Sequence, residues 1–286
     1  ELVVARSGSP LIIGYGLGEH FVASDQLALL PVTRRFAVLE EGDVAQITKE
    51  AVNIIDTAGE PVRRAIEESD ITADAGGKAG YKHYMLKEIF EQPTAISNTM
   101  SDIEKIDFDL FGATHEEWKS INQILILACG TSYYSACVAK YWIESLAGIS
   151  TQVEIASEYR YRVSVPNPKA LVVVVSQSGE TADTLAALRH AKSLGHHKTL
   201  AICNVASSAM MRETIWKFQT KAGVEIGVAS TKAFTTQITV LTLIALRLAR
   251  AKGTMSSSDF RNHLLELEMI PKKVEKALEA DPIIKE

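Results

Sequence analysis

The sequence is short of cysteine, aromatics and clustered basic charge, and these shortages exclude several classes of protein. Three cysteines, Cys129, Cys137 and Cys203, stand in or beside apolar segments of a 286-residue chain. An odd count without zinc-ligand spacing fits buried thiols in a reducing, cytoplasmic setting better than a disulfide framework. Lys and Arg number 30 against 35 Asp and Glu, with no basic block, so the footprint of a nucleic-acid binder is missing. No apolar run reads as long enough to span a bilayer, which speaks against a membrane protein. There is no G-x-x-x-x-G-K-[ST] loop, and His20, His83, His115, His190 and His263 form no metal motif. We therefore expect neither a cofactor nor a metal. What remains, 47% apolar and 23% charged residues, is the balance of an ordinary globular chain.

The most informative stretch is Ala170-Leu-Val-Val-Val-Val-Ser-Gln-Ser-Gly-Glu-Thr-Ala-Asp-Thr184. Leu171 to Val175 form an apolar run without alternation, as in a strand buried on both faces of a parallel sheet. Ser176, Gln177, Ser178 and Thr181 then surround Gly179, and Leu185, Leu188, Ala191 and Leu194 recur at helical spacing. Thr181 is the expected N-cap and Gly195 the stop. A strand ending in hydroxyls at a helix N-terminus favours an anion there.

The chain before this stretch changes character once. Residues 1–72 read as β-rich, with strands at Leu2 to Ala5, Pro10 to Ile13, Phe36 to Leu39 and Val52 to Ile55. Gly14-Tyr-Gly-Leu-Gly18 and Asp56 to Glu60 read as hairpin turns, because no helical pattern opens after the first. Residues 73–80, around Asp74-Ala-Gly-Gly-Lys-Ala-Gly80, have linker composition. From Tyr81 to the end, at 286, the pattern predicts an α/β domain. A helix covers His83 to Glu91 and Pro93 ends it or starts another over Ala95 to Met100. Strands at Ile124 to Ala128, Val153 to Ala156, Leu171 to Val175, Thr199 to Cys203 and Lys217 to Thr220 then alternate with helices. That alternation predicts a flavodoxin-like, doubly wound parallel sheet. Phe234 to Ala251 and His263 to Leu278, broken at Pro271, close the chain as helices.

Three polar turns carry the candidate chemistry. Cys129-Gly-Thr-Ser132 follows its strand much as Ser176 to Gly179 follows theirs, and Gly227-Val-Ala-Ser-Thr-Lys232 opens the long helix. In a flavodoxin-like order the first two turns face one crevice, and the third is expected to close it from the side. Each hydroxyl, including Thr131, has a plainer reading as a helix cap, but the repetition favours contact with a small phosphorylated, hydroxyl-rich ligand. Glu180 reads as a first-turn residue complementing the helix dipole. Lys232 reads either as an anion partner or as solvated, His196 and His197 as surface, and Cys129 and Cys203 as packing residues.

Leu127 to Ser132, Ser176 to Thr184 and Glu225-Ile-Gly-Val-Ala-Ser-Thr-Lys-Ala-Phe-Thr-Thr-Gln237 resemble the first sugar-isomerase (SIS) domain of the glucosamine-6-phosphate synthase family, the glutamine:fructose-6-phosphate amidotransferases. Upstream, Ala5 to Leu11 and Ala23 to Pro31 resemble the closing strands of that family's N-terminal-nucleophile glutaminase domain. His83 to Pro93 resembles the entry into its isomerase part. The resemblance weakens from Asn98 to Ser120 and after Lys252. It implies a phosphate-binding loop at Ser176, Gln177, Ser178 and Thr181, and sugar or phosphate contacts at Ser132, Val228 and Ser230. It also implies fructose 6-phosphate and glucosamine 6-phosphate as ligands, and a homodimer. The chain opens on Glu1-Leu-Val-Val-Ala-Arg6 as if a strand were already under way, and we expect a piece of a longer protein. The family's glutaminase cysteine, and the lysine, glutamate and histidine of its second SIS domain, have no counterpart here, so binding without turnover is expected. A stand-alone phosphosugar isomerase or a sugar-phosphate sensor are the alternatives. Neither accounts for the glutaminase-like strands, and the sensor would need an effector domain.

Overall fold

The computed structural model describes residues 1–69, 77–103 and 110–285. Its contacts divide the chain into two units, Glu1–Gly77 and Lys78–Glu286; residues 73–76 of the expected linker lie outside the described residues.

The first unit holds two antiparallel sheets. One has the order β1-β5-β6-β7, from β1 (Leu2–Ala5), β5 (Val44–Ile47), β6 (Val52–Ile55) and β7 (Pro61–Val62). The other has the order β3-β2-β4-β8, from β2 (Ile12–Tyr15), β3 (His20–Ala23), β4 (Arg35–Val38) and β8 (Ile66–Glu68). Ile13, Leu39, Ala45, Ile47 and Ile54 form the apolar cluster they share. Gly14 to Gly18 lies in the β2–β3 hairpin and Asp56 to Glu60 in the β6–β7 hairpin. Half of these eight strands, β3, β5, β7 and β8, escape the sequence pattern because they are short and only partly buried.

The second unit is a five-stranded parallel sheet of order β10-β9-β11-β12-β13, the flavodoxin-like order. Its strands are β9 (Gln123–Ala128), β10 (Ser150–Ile155), β11 (Ala170–Ser176), β12 (Lys198–Cys203) and β13 (Trp216–Gln219). All seven residues of β11 are buried, as its unbroken apolar run requires. Eight helices matter to the site and its frame: α1 (Tyr84–Thr99), α2 (His115–Ser120), α3 (Gly130–Trp142), α4 (Ala156–Tyr159), α5 (Ala182–Ser193), α6 (Ala209–Glu213), α7 (Lys232–Lys252) and α8 (Ser257–Glu268). α9 (Ile270–Leu278) follows, with Pro271 in its first turn, where a proline is tolerated.

Two expectations need correction here. Pro93 neither ends nor starts a helix; α1 runs through it. A proline removes one backbone bond, and the Ile89 carbonyl four residues earlier accepts instead from the Gln92 side chain at 2.9 Å. α7 is long and apolar enough to cross a bilayer by length and composition, although no such run was expected. In the fold 78% of that apolar window is buried, and Val240, Leu241, Leu243, Ile244 and Leu248 join the core with the faces of β9, β11 and α3. The opposite face of the sheet packs Leu185, Leu188 and Ala191 of α5. α3 and α5 therefore cover opposite faces, although β9 and β11 that feed them are neighbours. The crevice that this reversal opens lies at the carboxyl ends of the two strands.

Candidate functional site

The turn after β11 is built from its own hydroxyls. Ser176 Oγ accepts from the Gly179 N–H at 3.0 Å and shares a 3.0 Å hydrogen bond with Thr181 Oγ1. Ser178 Oγ accepts from the Glu180 N–H at 3.2 Å. Proton counting shows what is left: each hydroxyl has one proton, and Ser176 and Thr181 use one between them. One proton of that pair and the Ser178 proton remain for a ligand. Thr181 occupies the N-cap position of α5, yet makes no cap hydrogen bond, because its hydroxyl faces Ser176. The expected cap is thus absent, and the first N–H groups of a twelve-residue helix are left pointing outward with the positive dipole end. Asp183 in that first turn would oppose an anion, but Arg160 pairs with it at 2.7 Å.

The loop after β12 holds this turn in shape. Gly179 has φ +68°, and a Cβ there would overlap Ser208 Oγ and Cys203 Sγ. Its carbonyl accepts from the Met210 N–H at 3.1 Å, and that of Gln177 from the Asn204 N–H at 3.2 Å. The half-buried Gln177 thereby ties the turn to β12 through its backbone. Glu180 departs from the expectation. Its carboxylate accepts from the Ala209 N–H at 2.7 Å and so caps α6 instead of α5. Cys203 is fully buried beneath the turn, and burial pushes its thiol pKa up, which suits packing and not nucleophilic chemistry.

The turn after β9 adjoins the first, with Thr184 Oγ1 of α5 3.9 Å from Cys129 Sγ. Gly130 opens α3 at φ +56° with open space where a Cβ would be, and Thr131 is exposed. Ser132 is buried and accepts from Gln237 Nε2 at 3.0 Å, while Ser135 shares its one proton between the Ser132 carbonyl at 2.7 Å and Gln237 Oε1 at 3.3 Å. Gln237 was not singled out as a site residue; the signal available was an amide side chain among the apolar and threonine residues of the long helix.

The segment that leads to the third turn is tied to the loop after β12 through Asn204. Asn204 Nδ2 donates to the Gly223 carbonyl at 2.7 Å, and Asn204 Oδ1 accepts from the Ala222 N–H at 2.9 Å. Val228 is fully exposed, and Ser230 Oγ donates to Glu225 Oε2 at 3.0 Å. Glu225 Oε1 accepts from the Thr231 and Ala233 N–H groups at 2.9 and 3.1 Å. The N-terminus of α7 is therefore already occupied by a carboxylate, unlike that of α5. Lys232 is neither solvated nor free for an anion: it is buried and pairs with Glu91 at 2.7 Å.

His196 likewise differs from its surface reading, being buried, with its pKa lowered by burial and then by His197. It lines a cavity of about 260 Å³ with Gln123, Gln152, Arg162 and Asn167. That cavity sits at the amino ends of the strands, away from the three turns. Among the described residues no group of three or more metal-ligating side chains occurs.

Comparison with known proteins adds to this geometry. Residues 118–247 match the family model described as the SIS domain. The chain is 54% identical over 283 residues to a glutamine–fructose-6-phosphate aminotransferase [isomerizing] of Idiomarina loihiensis, covering 97% of this chain and 46% of that protein. It is 53% identical to the protein of the same name from Haemophilus ducreyi, over 99% of this chain and 47% of that one. Among solved structures, the C-terminal domain of glucosamine-fructose-6-phosphate aminotransferase from Francisella tularensis aligns with a TM-score of 0.70 at 46% identity, covering 73% of this chain and 60% of that one. The chain spans about half the length of the relatives it matches. It carries a SIS domain and is a relative, along nearly its whole length, of the isomerizing glutamine–fructose-6-phosphate aminotransferases.

Proposed function

We propose that the chain supplies the sugar-phosphate-binding part of an enzyme that makes glucosamine 6-phosphate from fructose 6-phosphate and glutamine. The carrying observation is the turn after β11. It joins two uncommitted hydroxyl protons to an uncapped helix N-terminus, and Arg160 neutralises the nearby carboxylate. Ser176, Ser178, Thr181 and the Gln177 segment would take the phosphate, and the crevice between α3 and α5 would orient the sugar toward Ser132, Val228 and Ser230.

The same residues bind without reacting. Isomerisation needs a base to move a proton between adjacent carbons, and amination needs a nucleophilic nitrogen. In the three turns Glu180 accepts from Ala209, Glu225 holds residues 230, 231 and 233, and Lys232 is paired with Glu91. These groups are committed to structure. The chemistry would come from a second sugar-isomerase domain and a complete glutaminase domain, as partners of this part. A cytoplasmic homodimer belongs to the same reading; the exposed stripe Tyr134, Val138 and Tyr141 on α3 would suit a subunit contact.

Calorimetric titration with fructose 6-phosphate tests this. Saturable heat that disappears with free fructose and with the Ser176→Ala/Ser178→Ala double variant is expected. Equal binding by the double variant, or none by the folded parent chain, would overturn the assignment.

A further inference from the structure

The sugar-side loop at residues 226–231 is held by two carboxylates that no expectation about the site included. Glu88, on α1, is buried to 2% exposure. Its Oε1 accepts from the Ile226 N–H at 2.6 Å and from the Gly227 N–H at 2.9 Å, and its Oε2 also lies 3.3 Å from the latter. A Cβ on residue 227 would overlap Glu88 Oε2, so glycine is what allows the carboxylate to approach. Glu225 grips the other end of the loop through Ser230, Thr231 and Ala233. Five donors within eight residues thus face two carboxylates, while the side chains of Ile226, Val228 and Ala229 are exposed to solvent.

The charges around them complete the arrangement. Lys232, 3% exposed, pairs with Glu91 of α1, and Lys87 of the same helix lies 3.4 Å from Glu91. Two lysines and three glutamates therefore meet where α1 crosses the start of α7. Buried charge adds little stability over apolar packing of the same shape, because desolvation offsets the attraction. What a carboxylate provides that a leucine does not is direction: it fixes particular N–H groups at short, charge-assisted distances.

We infer that Glu88 and Glu225 are positioning residues that set the conformation of the 226–231 loop, and through it the grip on the sugar but not on the phosphate. The inference rests on the proposed sugar contacts of Val228 and Ser230. It predicts that the two halves of the ligand respond differently to the same variant. Phosphate binds at the turn after β11, which is tied to β12 and α6 and makes no direct bond to either carboxylate.

The test uses two probes on the whole chain, fructose 6-phosphate by calorimetry and inorganic phosphate by the amide shifts of Ser178 and Gly179. Glu225→Ala should weaken fructose 6-phosphate about tenfold or more, the effect of losing charge-assisted contacts, and leave inorganic phosphate within about twofold. Glu88→Gln, which keeps one acceptor oxygen and is the gentler change, should shift the same ratio less and speed amide exchange at Ile226 and Gly227. An equal loss for both probes would show general destabilisation and overturn the inference. Unchanged fructose 6-phosphate binding with faster exchange at 226 and 227 would overturn it as well. A parent chain that ignores fructose 6-phosphate overturns the underlying sugar-phosphate reading, which separates that failure from this one.

Discussion

The turns after β9 and β11 share one local pattern, a buried parallel strand, a glycine in the left-handed region and a helix opened without a side-chain cap. They differ in what surrounds them. Gly179 is wedged against Ser208 and Cys203, whereas Gly130 faces open space. The hydroxyls of the β11 turn bond within the turn, whereas Ser132 is joined to Gln237 on α7, 105 residues away. The difference teaches that similar sequence patterns acquire different tasks from their third neighbours. One turn becomes a hydroxyl-rich donor cluster, and the other becomes a bridge between the sheet and the helix that opens after the 226–231 loop.

Variants can separate these roles. The largest expected effect is on Gly179→Ala, where both a positive φ and overlap with two side chains penalise the new methyl. It should lower unfolding free energy by about 2–4 kcal/mol, measured by urea denaturation. Gly130→Ala should cost only about 1–2 kcal/mol, because strain acts there without overlap. If the two variants matched, the packing distinction would be wrong. Ser132→Ala comes next. It leaves the Gln237 amide without its acceptor in a buried setting and should cost about 1–3 kcal/mol, while inorganic phosphate binding stays near that of the parent. Ser178→Ala should reverse the pattern, with a smaller change in melting temperature, because its Glu180 N–H partner is only part-buried, and a clear loss of phosphate affinity. Smaller again is Glu180→Ala, which removes the acceptor at the start of α6 and should cost about 1 kcal/mol. Last, Cys203 should resist alkylation near neutral pH until the chain unfolds, since it is buried and its pKa is raised; rapid native labelling there would show an open turn.

Much of the second unit could be read from the sequence because burial on both faces leaves an unbroken β-branched run, as in β11, and because helices follow at regular intervals. The turn after β11, proposed to take the phosphate, was legible as a strand-turn-helix for the same reason: its residues are neighbours in the chain. What escaped was long-range. Glu180 looks like a first-turn acid of α5 until the Ala209 N–H arrives from the loop beyond β12. Lys232 looks like an anion partner or a solvated residue until α1 brings Glu91 to it. Pro93 looks like a helix break until the Gln92 side chain satisfies the stranded carbonyl. The short strands of the first unit hide because three or four half-exposed residues carry too little pattern to distinguish.

Soaking fructose 6-phosphate into crystals of this chain and locating the phosphorus atom is the most direct measurement of the central claim. The account places the phosphate against Ser176, Ser178, Thr181 and the first turn of α5, with the sugar directed toward Ser132. Phosphate density at the start of α7, where Glu225 already occupies the N–H groups, or in the cavity beside His196, would contradict it.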